Sequence, residues 1–333
     1  MSSNGIKTEN RRHGESDGRR KGFGERIGYV ATKAMLAVVG SLPMSVSHII
    51  AGVVSYLAGN VVRYRRKVVT GNLRSCFPEK SDAEIRCLTS GFYRFLGDYF
   101  VETARMGRMS REEMMSRMKF ENIGELDADL ASGKSATLYL GHYCNWEWVS
   151  SIPLHLKSRC RAGEIYHPLE NAGVDDAFLE IRSRWGADCV AMADTLRWIT
   201  AYRRQGIPTV TGYIADQAPL YRAVHCFVDF LNHDTPVFTG PERLARLLKG
   251  PVYYIDMRCE GRGRYVGRFV KMTDDASQLE PFELTRRYFR MLEESIRRAP
   301  QYWLWSHKRF KRTRKHFIEV YGEEDAARRL SHL

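Results

Sequence analysis

The chain has 333 residues, 44% of them hydrophobic, enough for one large domain or two small ones with a real core. Its 52 Lys and Arg outnumber 39 Asp and Glu, and the net charge of +13 points to anionic partners: nucleic acid, an anionic membrane surface or an acidic protein. Seven scattered cysteines, an odd number with no Cys-x-x-Cys pair, exclude a disulfide framework and a zinc module and read as reduced thiols in a cytosolic setting.

Residues 1–26 are polar and glycine-rich, with basic pairs at Arg11–Arg12 and Arg19–Arg20, the pattern of a disordered cationic tail. The stretch 34–62 then contains no Asp, Glu, Lys or Arg. Pro43 splits it, and only 44–62 approaches the roughly 20 apolar residues of a spanning helix. Basic residues flank it on both sides, with "RYRRK" at 63–67 behind it, whereas a simple span shows its excess on one side. The pattern favours a membrane-embedded or interfacial helical pair on the cytoplasmic leaflet. A single span and a buried hairpin of a soluble protein stay open.

From 80 to 135 the spacing predicts helix. Ser81 with Glu84 three residues on is a capping box, followed by apolar residues at helical intervals. From 136 short apolar runs alternate with amphipathic segments. The runs are "ATLYLGH", "GEIYHP", "GADCVAM", "PTVTGYIAD", "PVYYIDMR" and "RYVGRFV". Helical patterns fall near 145–157, 174–185, 194–205, 240–249 and 281–298. Such alternation predicts an α/β fold with a mostly parallel central sheet flanked by helices.

"YLGHYCNWEWVS", 139–150, holds the first chemical signal. Five helical steps between His142 and Glu147 rotate about 140°. Five strand steps put them on opposite faces about 16 Å apart. A strand ending at Gly141 and turning into a helix places His142 at a strand's carboxyl end, where α/β sheets carry their sites. Glu147 then lies in the first turn of the helix. A histidine with a carboxylate partner is a general base held in one tautomer. No Gly-x-Ser-x-Gly elbow accompanies it, Cys144 is poorly placed as a nucleophile, and the spacing is not a metal motif. The remaining role is deprotonation of a hydroxyl on a bound substrate.

"GHYCNWEW" resembles the His-Phe-Gly-Asn-Trp-Glu signature of the bacterial lipid A biosynthesis (late) acyltransferases, within the lysophospholipid-acyltransferase-like superfamily. The resemblance continues in order. "RKVVTGNLRSCFPEKSDAE", 66–84, is similar to that family's amino-terminal block. "YHPLEN" with "IRSR", 166–184, is similar to its Tyr-Arg-Pro block, and "ADQAPL", 215–220, to its Asp-Gln block. "APQYWLWSHKRFK", 299–311, is similar to its Trp-x-His-Arg-Arg-Phe-Lys block. Departures are Tyr143 and Cys144 for Phe and Gly, His167 for the block's arginine, and Asn232 for a glycine in "DFLNHDT".

The resemblance implies a fatty acyl chain moved from an acyl carrier protein thioester to a hydroxyl of a lipid A precursor, with no cofactor and no metal. His142 is the implied base and Glu147 the group that orients it. Tyr143, Asn145, Tyr166 and His167 are expected at the substrate, with Arg182 and Arg184 on phosphate. Asp216, Gln217, Thr239, His307 and Arg309 complete the expected binding residues. Oxyanion donors would come from backbone N–H groups at the start of the 145–157 helix, from Asn145 or from an arginine. Chain-length preference would come from an apolar tunnel lined by the 34–62 hairpin and the 88–102 helix. The expected organisation is a tail at 1–26, a membrane-associated segment at 27–67, the catalytic domain at 68–320 and a carboxyl-terminal tail at 321–333.

"WLWSHKRFKRTRK", 303–315, would suit RNA in isolation. Beside a hydrophobic amino-terminal pair it suits a membrane surface or the acidic carrier protein, and nucleic acid is not expected as a partner. The expected location is the cytoplasmic face of the inner membrane. Alternatives from the residues are the same fold acting on a lysophospholipid, amino-acid lipid or mannoside, a lipid hydrolase, and a non-catalytic basic binding protein.

Overall fold

A computed structural model describes residues 23–332. The pairs Arg11–Arg12 and Arg19–Arg20 lie outside the described residues. Residues 23–26, expected in the disordered tail, are instead the first turn of helix α1 (Phe23–Ser41). Pro43, with φ −55°, caps α2 (Met44–Tyr56), because its ring suits a helix start and its missing N–H costs nothing there. A wider, π-helical turn at Leu57–Val61 prolongs α2. Arg63 and Arg65 both adopt left-handed φ and turn the chain into α3 (Arg66–Cys76).

The long helix α4 (Asp82–Met106) starts at the expected capping box: Glu84 N–H donates to Ser81 Oγ and Ser81 N–H to Glu84 Oε2. After it come α5 (Arg111–Arg117), β1 (Met118–Glu121), α6 (Ile123–Ala131) and β2 (Ala136–Leu140). A 3₁₀ helix at Trp146–Leu154 then stands where a longer helix was expected. β3 (Arg161–Tyr166), α7 (Ala172–Arg182), β4 (Asp188–Ala191), α8 (Thr195–Arg204) and β5 (Thr209–Ile214) continue the alternation. A two-stranded antiparallel hairpin, β6 (Cys226–Phe230) and β7 (His233–Val237), follows. Its turn residues Leu231 and Asn232 have φ of 52° and 66°, so an asparagine fills a left-handed position that suits glycine. α9 (Gly240–Leu248), β8 (Val252–Gly261), β9 (Arg264–Thr273) and α10 (Glu283–Arg298) complete the α/β part. The expected tail from 321 is corrected: α11 (Arg314–Tyr321) and α12 (Glu323–Leu330) pack Phe317 and Ala326 against Val224 and Phe227.

The main sheet has seven strands in the order β1-β9-β8-β2-β5-β3-β4. β8, β2, β5, β3 and β4 run parallel; β9 and β1 run the other way at one edge. Strand β2 is buried at all five residues, as expected of a central parallel strand. The amphipathic α10 covers the sheet with Leu284, Tyr288, Phe289, Leu292 and Ile296.

The amino-terminal helices are integral to this body. α2 lies against α4 where Gly97 is small enough to admit it: a Cβ there would meet Ser55 Oγ at 2.1 Å and the Ala51 carbonyl oxygen at 2.6 Å. His48 of α2 contacts the buried Glu102 of α4 (Nε2 to Oε1, 3.2 Å), and Arg262 ties the β8–β9 turn to the His48 carbonyl and Asp98. Gly97→Ala is expected to cost about 1–3 kcal/mol through overpacking against backbone. Chemical denaturation in detergent would show the loss as a lower midpoint.

Candidate functional site

The register of β2 and β5 builds the site. Leu140 pairs with Ile214, and two residues further along each strand stand His142 and Asp216. Parallel strands about 4.8 Å apart bring these two side chains together. His142 Nδ1 lies 2.5 Å from Asp216 Oδ1, and its backbone N–H donates to Oδ2 at 2.9 Å. Gly141 permits the turn, since a Cβ would meet Leu292 Cδ1 at 2.5 Å.

Burial pushes the Asp216 carboxyl up, but the charge of His142, the hydrogen bonds from its ring and backbone, and the Trp303 indole N–H at 2.8 Å outweigh this and hold it at about 2. The carboxylate is therefore ionised and accepts the hydrogen bond from Nδ1–H. Nε2 is left as the acceptor, facing Gln217 Nε2 at 3.2 Å.

The carboxyl-terminal block clamps this turn from behind. Leu304 N–H donates to the His142 carbonyl and Cys144 N–H to the Tyr302 carbonyl, with Tyr143 and Trp303 bridged as in a sheet. Cys144 has φ of 55° and burial raises its thiol well above the ordinary range, which removes it as a thiolate nucleophile. His307 accepts the Ala218 N–H at 3.1 Å and so holds the loop that carries Asp216 and Gln217.

Glu147 takes another partner. Its carboxylate receives Arg182 in a bidentate pair, both contacts 2.6 Å, and the Tyr99 hydroxyl at 3.0 Å. Burial raises its pKa, but the Arg182 charge and hydrogen bonds prevail and it lies below the usual range. Glu164 stands beside the same pair; burial pushes it up to about 8, against the pull of Arg182. Asp216, not Glu147, is thus the carboxylate bonded to the His142 ring.

The other expected residues divide. Gln217 and His307 face a cavity beside His142; Arg182 faces Glu147. Tyr143 is buried with its hydroxyl on the Ala299 carbonyl, and Asn145 is buried with Nδ2 on Glu102 Oε2 at 3.0 Å. Thr239 is buried where α9 begins. Arg309 is fully buried, bonded to the Pro236 carbonyl, and burial lowers it to about 10. Tyr166 is half-buried at the end of β3, and His167 is exposed on the following loop. Arg184 bonds the Met109 carbonyl and lies over the Trp185 ring, away from Glu147. Tyr143, Asn145, Thr239 and Arg309 are therefore enclosed by protein, without a surface open to substrate in this conformation.

The cavity has a volume of about 750 Å³, within the usual range for ligand sites. Val54, Leu57, Ala58 and Val62 form one wall, Leu96, Tyr99 and Phe100 of α4 another, and Trp146, Gln217 and His307 the end nearest the base. Trp146 meets the His142 ring edge-on at 5.1 Å and stacks on Tyr99 at 4.2 Å. Sequence reasoning passed over Tyr99, Trp146 and Trp303; the aromatic density around the signature and in "WLW" was the available signal. Among the described residues no group of three or more His, Cys, Asp or Glu is arranged to hold a metal ion.

The model of the bacterial lipid A biosynthesis acyltransferases matches residues 25–312. The chain belongs to that family. As a lipid A biosynthesis acyltransferase it is similar to the lipid A biosynthesis myristoyltransferase of Escherichia coli (strain K12), 21% identical over 274 residues, 80% of this chain and 82% of that protein. It is also similar to lipid A biosynthesis acyltransferase 2 of Shigella flexneri, 21% identical over 174 residues, 52% of this chain and 54% of that protein. That second match spans about half of the relative's length.

Burial holds His307 neutral, with a pKa lowered from 6.5 to about 4. A depressed folded pKa gives stability that is complete above pH 6.5 and lost as pH falls through 4, because the unfolded chain takes up the proton first. His307→Gln, whose side-chain oxygen can still accept the Ala218 N–H, is expected to remove on the order of 2 kcal/mol of this acid sensitivity. Unfolding midpoints of both forms at pH 4 to 7 measure it.

Proposed function

We propose that this acyltransferase moves a fatty acyl chain from an acyl carrier protein thioester to a hydroxyl of a lipid A precursor or related glycolipid, at a membrane surface. One observation carries the reading: a histidine ring fixed by a buried carboxylate adjoins Trp146 and Gln217, which line an apolar cavity of about 750 Å³. The cavity suits the acyl chain, and its walls come from the two segments expected to form a tunnel.

Asp216 accepts the hydrogen bond from Nδ1–H and stabilises the imidazolium that forms. Nε2 takes the acceptor hydroxyl's proton as that oxygen attacks the thioester carbonyl. The new C–O bond forms, the C–S bond breaks, and the imidazolium returns its proton to the departing thiolate. No acyl-enzyme is needed. Arg182, Glu147 and Tyr99 form a buried ionic brace that fixes the 3₁₀ turn and Trp146 at the cavity.

Apolar side chains exposed along α1 and α2, among them Ile27, Val30, Met35, Val38, Ile49, Val53 and Val61, support an interfacial seat. Met44–Val61 is long and apolar enough to cross a membrane, with mean hydropathy 1.3, yet one side of it forms the cavity wall and packs on α4. The cytoplasmic leaflet of the inner membrane fits an acyl carrier protein donor, and the net charge of +13 favours that acidic partner.

Lipids from cells expressing the chain are expected to contain a species heavier by one acyl residue, absent with His142→Ala at equal membrane levels. Identical mass spectra with purified lipid A precursor and myristoyl carrier protein supplied in vitro would overturn the reading. Asp216→Asn is expected to lower kcat about 10³- to 10⁴-fold with KM little changed, as loss of the orienting carboxylate does elsewhere. An equal or larger kcat loss confined to Glu147→Gln would return the orienting role to Glu147. Ala58→Phe, which fills the cavity, is expected to shift the preferred donor to shorter chains in a competition between donors of different length.

A further inference from the structure

Arg182 and Arg184 are two residues apart but serve different places. Arg182 is consumed by Glu147, while Arg184 borders a second cleft of about 350 Å³ between α1, α7 and the end of α4. The cavity beside His142 reaches α4 at Phe100 and this cleft reaches it at Ala104. At 1.5 Å per residue the two are about 6 Å apart along the helix. Nothing in the proposed chemistry uses the second cleft.

Its floor is apolar and buried: Leu36, Ala104, Ala177 and Ile181. Its rim carries Lys33, Arg108 and Arg184 against one carboxylate, Glu180, three positive charges and one negative. Lys33 is paired with Glu180 at 2.8 Å. Arg184 spends one nitrogen on the Met109 carbonyl. Arg108 is exposed, and its side chain makes no hydrogen bond or ion pair among the described residues. Two guanidinium groups with donors to spare thus face an apolar-floored recess.

The outer face of α1 says where the recess opens. Ile27, Val30, Met35 and Val38 form an exposed apolar stripe at helical spacing, and Lys33, Leu36 and Ala37 of the same helix line the cleft beside it. A ligand that fits has a doubly or singly charged anion for the guanidinium groups and hydrocarbon that can lie along an apolar helix.

We propose that this cleft binds the phosphate headgroup of an anionic bilayer lipid. The phosphate oxygens accept from Arg108 and Arg184, the glycerol lies on the apolar floor, and the acyl chains follow the α1 stripe into the bilayer. The proposal rests on the membrane-surface reading but not on the acyl-transfer chemistry. It makes the cleft a docking point that sets the orientation of the catalytic face against the membrane.

The test is binding of the full-length chain to vesicles of phosphatidylcholine alone and of phosphatidylcholine mixed with phosphatidylglycerol. Arg108→Glu and Arg184→Gln are expected to weaken binding to the mixed vesicles by about five-fold or more each, leaving neutral vesicles unaffected. Arg204→Glu, at an exposed cation on α8, is the control for general surface attraction. An equal loss with Arg204→Glu, or no loss with Arg108→Glu, overturns the proposal. So does unchanged vesicle binding with a raised KM for a phosphorylated acceptor, which would assign the cleft to the acceptor instead. Vesicle binding needs no turnover, so failure of the acyl-transfer reading leaves this test intact. If Arg184→Gln lowers the unfolding midpoint, Arg108→Glu, which breaks no side-chain hydrogen bond or ion pair among the described residues, decides.

Discussion

The parallel pairing of β2 with β5 is the constraint on which the site depends. It places two residues 74 positions apart in sequence within hydrogen-bond reach, because each stands two steps beyond a paired register position. Such a placement needs both strands to end together and both chains to turn away at once. Gly141 lets the first turn pass under Leu292, and the carboxyl-terminal strand-like segment at 302–304 fixes its backbone. The Trp303 indole N–H and the His142 backbone N–H then both donate to the second Asp216 oxygen. The buried carboxylate is thus fully engaged, which is what makes an ionised group tolerable there.

Much of the fold was legible in the sequence because its signals are local. The capping box at Ser81, the break at Pro43 and the strand–helix alternation after 136 need only a short window to read. The β6–β7 hairpin was not legible: each strand is five residues long, its turn carries Leu231 and Asn232 in place of a glycine pair, and Pro236 lies within β7. At the site, His142 was legible as a strand-end histidine. Its partner was not, since Glu147 lies close in sequence and Asp216 becomes a neighbour only through the strand order. Arg309 shows the converse problem. A cation within a basic, aromatic run reads as exposed, but here it lies buried over the Phe289 ring. Composition carries no information on which members of a charged run face inward.

The amino-terminal helices help to build the site. α2 supplies one wall of the cavity, and a chain of polar contacts runs from His48 through Glu102 to Asn145, two residues before Glu147. Tyr265 also donates to Glu102, so the same buried carboxylate joins α2, the signature turn and β9. Removing α2 would open the cavity and take the His48 contact from Glu102. The amino-terminal helices and the α/β part are packed as one body.

The openness of that cavity bears on how an acyl chain held there, as proposed, would leave it. Val54, Leu57 and Val62 line the cavity and are themselves exposed, as are their neighbours Val53 and Val61. The lining is thus continuous with the exposed apolar surface of the amino-terminal helices. An acyl chain of a dozen or so methylenes would cost about 10 kcal/mol to expose to water, at roughly 0.8 kcal/mol for each. A lipid surface against these helices, as proposed, would offer the chain lateral transfer between two media of similar polarity in place of that step.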